Sequence, residues 1–119
     1  MKKTLIIGAS PNPQRMSNIV TQKLHALGHE VIPLGIRKGE INGLEIKLQR
    51  ADFQNIDTIT LYLNPTLQKD YYDYILSLKP KRLIFNPGTE NFELAKLAKE
   101  NGIEAIIGCT KVMLSLGQY

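Results

Sequence analysis

One stretch near the start of the chain decides the fold: Thr4-Leu5-Ile6-Ile7-Gly8-Ala9-Ser10-Pro11-Asn12-Pro13-Gln14-Arg15-Met16-Ser17. Its first residues form a short apolar run that ends at a glycine, as a buried parallel strand does. Small hydroxyl residues, prolines and an arginine then precede a segment of helical spacing that starts near Ser17. A strand, a glycine turn and a helix in this order are typical of the first unit of a Rossmann-type domain.

Outward from this stretch, short β-rich runs alternate with segments of helical spacing, which predicts β-α-β units and a parallel sheet. The predicted strands are Thr4 to Gly8, Glu30 to Leu34, Thr58 to Leu63, Arg82 to Asn86 and Glu104 to Ile107. Apolar spacing predicts helices around residues 19–27, 71–78 and 92–98. Residues 35–56 are predicted to form an irregular crossover, and residues 111–119 a short covering helix or an interface segment. We therefore expect one domain, residues 1–119, with a Rossmann-like three-layer doubly wound α/β fold and a five-stranded, mainly parallel sheet.

Composition excludes several classes of protein. The apolar fraction of 43% and charged fraction of 22% are those of a globular domain, and no apolar run approaches the roughly 20 residues that cross a bilayer. Cys109 has no second cysteine to pair with, and with His25 and His29 it forms no metal-ligand pattern, so we expect no metal site and a cytoplasmic location. The net charge of +4 is scattered along the chain, which predicts no nucleic-acid partner.

The loops that follow the predicted strands contain the candidate ligand-binding residues, because ligands of doubly wound sheets bind beyond the carboxyl ends of strands where the strand order reverses. The first loop and helix start contribute Gly8, Ala9, Ser10, Pro13, Arg15 and Ser17. The loops after the second, third and fourth strands contribute Leu34, Gly35, Lys38, Asn64, Asn86, Pro87, Gly88 and Thr89. We expect the backbone N–H groups of Ala9 and Ser10, with the Arg15 guanidinium, to hold a diphosphate.

Each of these residues also has a purely structural explanation. Ser17 is a good helix N-cap, and the prolines and Asn-Pro pairs are ordinary turn formers. Two other nucleotide sites fit poorly. The G-x-G-x-x-G dinucleotide pattern is incomplete and no acid follows the second strand, and the chain has no Gly-Lys-Ser or Gly-Lys-Thr triplet of a Walker loop.

Several segments resemble the small CoA-binding-domain proteins, which are similar to the amino-terminal domain of the succinyl-CoA synthetase α subunit. The opening run with Gly8, Ser10 and Arg15 is the most specific match, and Gly28-His29 with Val31-Ile32-Pro33 continues it. Further matches along the chain are Ile41-Asn42-Gly43, Asn86-Pro87-Gly88 and Cys109. The resemblance covers roughly residues 4 to 115. It departs at Leu34-Gly35, where the family commonly has Asn-Pro, at Asn86, where it commonly has Gln, and at Ile107-Gly108, where it often has Asp-Arg.

The resemblance implies coenzyme A as cofactor, with the diphosphate on the first loop. Residues 34–38 then flank the adenosine end, with Lys38 as the best cation of this segment for the 3′-phosphate, and the loops at Asn64 and at residues 86–89 line the pantetheine arm. No catalytic residue is expected, since the histidines are placed at the amino-terminal side of the sheet and Cys109 has no histidine partner. The alternatives are an NADP-binding protein, and an interaction domain with a vestigial site in which Tyr71, Tyr72, Tyr74 and the tail form an interface to a second copy or another protein.

Overall fold

A computed structural model describes residues 1–119. Seven strands run over Thr4–Ile7 (β1), Val31–Leu34 (β2), Glu40–Ile41 (β3), Leu44–Glu45 (β4), Thr58–Leu61 (β5), Arg82–Phe85 (β6) and Glu104–Ile107 (β7). The α-helices cover Met16–Ala26 (α1), Pro65–Gln68 (α2), Tyr72–Leu78 (α3), Phe92–Glu100 (α4) and Thr110–Ser115 (α5), and a 3₁₀ turn at Lys69–Tyr71 joins α2 to α3. No helix combines the length and apolar character needed to span a membrane.

The five long strands form one parallel sheet in the order β2-β1-β5-β6-β7. All four residues of β1, β5 and β6 are buried, which is the pattern of strands covered on both faces. The Rossmann-like α/β prediction is confirmed. β7 has the predicted bounds, β2 starts one residue later than predicted, and β1, β5 and β6 end one or two residues earlier, where Gly8, Tyr62-Leu63 and Asn86 start the loops.

The two faces of the sheet bury different chemistry. One face packs α3 and α4 on the larger apolar cluster, which includes Leu5, Phe85 and Leu94. The other face lies under α1 and α5 and buries a smaller apolar cluster, which includes Ile6, Val20 and Leu24. Beside this cluster lies a polar layer, in which Thr60 hydrogen-bonds Thr110 at 2.8 Å between the hydroxyl oxygens. Sequence periodicity cannot separate the faces, since threonine and isoleucine fit a strand equally well.

The crossover between β2 and β5 contains a two-stranded hairpin, β3-β4, that was not predicted. Asn42 and Gly43 form its turn with positive φ angles, the geometry for which Asn-Gly is favoured. Beyond the hairpin, the chain pairs with the outer edge of β2: Gly35 N–H donates to Lys47 O at 2.9 Å, and Lys47 N–H donates to Pro33 O at 2.8 Å. The β2 edge is therefore covered.

The chain ends on the polar layer. The tail prediction of a covering helix is confirmed by α5, which starts one residue earlier than expected. Tyr119 packs beyond α5, where its hydroxyl hydrogen-bonds the Thr4 hydroxyl at 2.5 Å. The centroid of its ring lies 4.3 Å from the guanidinium carbon of the buried Arg82. The predicted tyrosine cluster also contacts its own chain, since the Tyr72 hydroxyl donates to Glu93 and the Tyr74 hydroxyl to Ala51 O.

Candidate functional site

A cavity of about 390 Å³ opens at the carboxyl ends of β1, β2 and β5. The chain leaves β1 for β2 on one side, and β5 pairs with β1 on the other, so the cavity lies where the strand order reverses. This is the position at which doubly wound folds bind ligands. Six predicted site residues line it: Gly8, Ala9, Ser10, Arg15, Ser17 and Gly35.

Gly8 is required by the close approach of two strands. Its φ angle is +98°, and a Cβ atom at this position would lie 2.9 Å from the main-chain carbon of Tyr62. Only glycine accommodates both constraints. The N–H groups of Gly8 and Ala9 both donate to Leu34 O, at 3.0 and 2.9 Å. The expectation that Ala9 N–H faces a diphosphate is therefore wrong, because that group already fastens the first loop to β2.

In the first loop and at the start of α1, the N–H groups of Ser10, Met16 and Ser17 have no acceptor in the protein and lie at the cavity. Arg15 occupies the N-cap position of α1 and gives no side-chain cap. Ser17 is thus the second helical residue, not the cap, and its N–H is open as well. The positive end of the α1 dipole therefore faces the cavity with free donors, which is the arrangement that binds anions.

The charged residues at the cavity are all cationic. Arg15 and Arg37 line its mouth, are exposed and take part in none of the ion pairs. No aspartate or glutamate lines the cavity. Two unpaired guanidinium groups beside free backbone donors give the cavity a positive potential, and each guanidinium can bind phosphate oxygens through two N–H groups.

Tyr62 lies against the first loop and helps to line the cavity. Its hydroxyl is buried near Thr110 and Thr60 without a hydrogen-bond partner. Burial raises the pKa of this phenol far above its usual value, so Tyr62 stays neutral at physiological pH.

The loop after β2 is divided between two surfaces. Gly35 reaches the cavity, and a Cβ atom there would lie 2.3 Å from Ala9 O. The Leu34 side chain is buried in the core, and only its carbonyl contributes, by anchoring the first loop. Lys38 is exposed and lines a separate groove beside the hairpin. The role predicted for Lys38 at a ribose phosphate stays a prediction, and Arg37 is the cation of this loop that lines the cavity.

The remaining predicted residues lie outside the cavity lining. Pro13 is exposed within the first loop. Asn64, expected in an open loop, is the N-cap of α2 and accepts a hydrogen bond from Leu67 N–H at 3.0 Å. Pro65 opens that helix, the position that tolerates proline best.

The loop after β6 is occupied by internal hydrogen bonds. The Asn86 side chain is buried, donates to Thr60 Oγ1 and Leu61 O, and accepts from Thr110 N–H. The Thr89 hydroxyl donates to Asn86 O. Pro87 and Gly88 are exposed, and Gly88 N–H donates to Glu90. The wall predicted for a pantetheine arm at residues 86–89 is thus a structured turn outside the cavity, and its contact with a ligand stays a prediction.

Seven lining residues were not named individually as candidates: Asn12, Met16, Ile36, Arg37, Tyr62, Leu63 and Tyr71. The first two lie in the predicted phosphate loop and the next two in the predicted segment 34–38. Arg37 had a sequence signal, since it directly follows the β2 loop and a cation near that position accommodates a ribose phosphate. Tyr71 had none, because its place depends on Arg50 from the crossover. The Arg50 guanidinium carbon lies 3.7 Å from the Tyr71 ring centroid, and its nitrogens bond the Asp70 carboxylate and carbonyl.

The fold and the cavity define a small doubly wound α/β domain with a cationic, donor-rich cavity at the reversal of strand order. Residues 2–115 match the family described as "CoA binding domain". The chain belongs to this family. The resemblance inferred from the first loop is therefore confirmed.

Solved structures share the fold of this chain. A crystal structure described as an uncharacterized protein is 55% identical, with a TM-score of 0.98, over 100% of this chain and 98% of that chain. A hypothetical protein from Pyrococcus horikoshii OT3 is 28% identical, with a TM-score of 0.87, over 97% of this chain and 82% of that one. A conserved hypothetical protein from Pyrococcus furiosus is 26% identical, with a TM-score of 0.80, over 98% and 99%. No match was found among curated proteins.

Proposed function

We propose that the protein binds coenzyme A or an acyl-CoA as a stand-alone module, with the ligand diphosphate in the cavity at the start of α1. The observation that carries this proposal is the combination of free Ser10, Met16 and Ser17 N–H groups with the unpaired guanidinium group of Arg15. A diphosphate supplies the acceptors and the negative charge that these groups lack. Membership in the CoA binding domain family supports CoA as the source of that diphosphate.

The end of β2 favours a phosphorylated ribose over a free one. NAD sites hold the ribose hydroxyls with an acid near this position, whereas an arginine accommodates a ribose phosphate. Here the chain after Leu34 reads Gly35-Ile36-Arg37-Lys38, and no acid lines the cavity. We therefore propose that Arg37 contacts the 3′-phosphate of CoA, with Lys38, which lines the neighbouring groove, as the second candidate.

The protein is proposed to hold or present its ligand rather than to transform it. The ionisable side chains at the cavity are two arginines and two tyrosines, and Arg is permanently charged. Cys109 is half-buried at the N-cap position of α5, outside the cavity lining. We place the protein in the reducing cytoplasm, where this thiol stays free.

Calorimetric titration of the purified protein with CoA, dephospho-CoA, NADP and ADP tests the proposal. CoA is expected to bind most tightly, ADP to bind more weakly through its diphosphate, and dephospho-CoA to fall between them. Tighter binding of NADP than of CoA would favour the dinucleotide alternative. If none of the four ligands gives a heat of binding, the alternative of an interaction domain with a vestigial site would be favoured.

Two single variants identify the ribose-phosphate contact. If Arg37 makes it, Arg37→Ala lowers the affinity for CoA and leaves that for dephospho-CoA nearly unchanged, while Lys38→Ala changes neither. The opposite pattern assigns the contact to Lys38. Equal affinity for CoA and dephospho-CoA in the wild type and in both variants would show that neither side chain meets the 3′-phosphate.

A further inference from the structure

The β7 edge of the sheet is open, unlike the β2 edge. The N–H groups of Glu104 and Gly108 donate to Lys81 O and Phe85 O on the β6 side, at 3.0 and 3.1 Å. Because successive residues of a strand alternate in direction, the N–H and C=O groups of Ala105 and Ile107 point away from the sheet. At the opposite edge, the segment around Lys47 pairs with β2 and covers it.

β7 has only part of the usual protection of an edge strand, namely its length of four residues and the exposed charge of Glu104. It has no lysine, proline or bulge, reads Glu104-Ala105-Ile106-Ile107 and pairs with β6 in unbroken register. Apolar side chains are exposed on β7 and on α5, the helix that follows it. Ile107 is 58% exposed, and Val112 and Leu116 on α5 are 51% and 63% exposed.

We propose that β7 pairs antiparallel with β7 of a second copy of this chain, which joins the two sheets into one. The strand is self-complementary in the register centred on Ile106. Each Ala105 then faces Ile107 of the second copy, and the two residues exchange both of their outward hydrogen bonds. A two-fold axis through this centre runs perpendicular to the sheet, so both α5 helices lie on the same face of the joined sheet.

The charges favour a second copy as the occupant. Glu104, the sole charged residue of β7, is exposed and in this register faces Gly108 of the second copy, which has no side chain. The two Glu104 residues are about 14 Å apart along the strands, beyond one Debye length. Lys111 follows Gly108 by three residues. Because Glu104 faces Gly108 of the second copy, it lies at the end of the paired strands where the second copy continues to Lys111.

The proposed interface is remote from the cavity. The cavity lies at β1, β2 and β5, and β6 separates these strands from β7. Dimerisation and ligand binding are therefore expected to be independent, and the dimer does not rest on the proposed function.

Light scattering during size-exclusion chromatography, over a roughly hundredfold range of loading concentration, measures the association directly. The wild type is expected at twice the chain mass of 13.4 kDa at the upper concentrations. Ile107→Lys adds a charge at the edge and is expected to elute as a monomer throughout. Leu48→Lys, at a residue that is 51% exposed beside the hairpin, is the matched control and should keep the dimer.

Ala105→Pro provides a second test that spares the fold. The Ala105 N–H points away from β6, a position at which proline is tolerated, so the variant loses the intermolecular donor and keeps the β6 ladder. Circular dichroism monitors the fold of each variant. A wild type that stays at 13.4 kDa at every concentration would overturn the proposal and leave the edge to a strand of another protein. A dimer that persists in both edge variants would place the interface elsewhere.

Discussion

Replacement of Arg15 by alanine is the most direct test of the cavity as a diphosphate site. Arg15 is the N-cap residue of α1, lines the cavity and forms no ion pair. Its removal therefore deletes a guanidinium without breaking an internal contact of that group. The fold is expected to be unaffected, and the affinity for CoA to fall.

The size of the loss follows from the exposure of the side chain. A hydrogen bond to a charged group contributes about 1.5–3 kcal/mol, and two unit charges about 4 Å apart attract by about 1 kcal/mol in water and about 4 kcal/mol near a protein surface. Because Arg15 is exposed, solvent screens the pair and the lower part of the range applies. We expect a loss of about 1.5–2 kcal/mol, or roughly 10- to 30-fold in dissociation constant.

The assay is calorimetric titration of wild type, Arg15→Ala and Lys23→Ala with CoA and with ADP. Lys23 lies in the last turn of α1 and is exposed, so its variant removes the same charge at the opposite end of the helix. Arg15→Ala should weaken both ligands by the same factor, because both carry the diphosphate, and the difference should shrink as salt is added. Unchanged affinity in Arg15→Ala, or an equal loss in Lys23→Ala, would refute a contact between Arg15 and the diphosphate.

Three further predictions concern one residue at the cavity and two residues at the opposite end of the sheet. Gly35→Ala places a Cβ atom 2.3 Å from Ala9 O and is expected to lower the free energy of unfolding by about 1–3 kcal/mol and to weaken CoA binding. Gly108→Ala, whose Cβ would meet ordinary contacts from 3.7 Å, should change neither, as urea melts and titrations can show. Burial lowers the pKa of His29, so the free energy of unfolding should decline as pH falls below about 6.5, the pKa in the unfolded chain. Urea melts at several pH values should show a smaller decline in His29→Gln than in the wild type. An identical pH profile in the two proteins would exclude His29 as the source of the decline. Tyr119→Phe removes the hydroxyl bonded to Thr4 and should cost about 0.5–1.5 kcal/mol in thermal or urea unfolding, whereas unchanged stability would mean that water replaces this bond.

Much of the fold could be predicted because its determinants are local. The apolar runs at β1, β5 and β6 are buried along their whole length, so hydrophobic burial and β propensity act on the same residues. The glycine of the first loop was identified for the same reason, since a strand that ends at Gly8 must turn there. The hairpin was missed, although Asn42-Gly43 is a favoured turn pair, because its strands are only two residues long and show no periodicity.

The location of the site was predicted from the sequence, whereas the backbone donors that are free to bind a ligand were not. Sequence order placed Gly8, Ser10 and Arg15 at the reversal of strand order, and the cavity includes all three. Whether a backbone N–H group of the first loop is free depends on whether a carbonyl of the neighbouring strand lies within hydrogen-bonding distance. Ala9 N–H is taken by Leu34 O, while the N–H of Ser17 is open because Arg15 occupies the cap position. The general propensity of serine for the N-cap position cannot show at which residue the helix starts.

The sequence by itself determined the class of fold, the first loop and the family, because each depends on residues that are contiguous in the chain. Tertiary structure alone decided which groups share the cavity. Arg37 reaches it and Lys38 does not, Asn86 is consumed by hydrogen bonds to β5 and α5, and Arg50 fixes Tyr71 across the crossover. These outcomes depend on contacts between residues about 20 or more positions apart, and their geometry is set only when the sheet has brought the strands together.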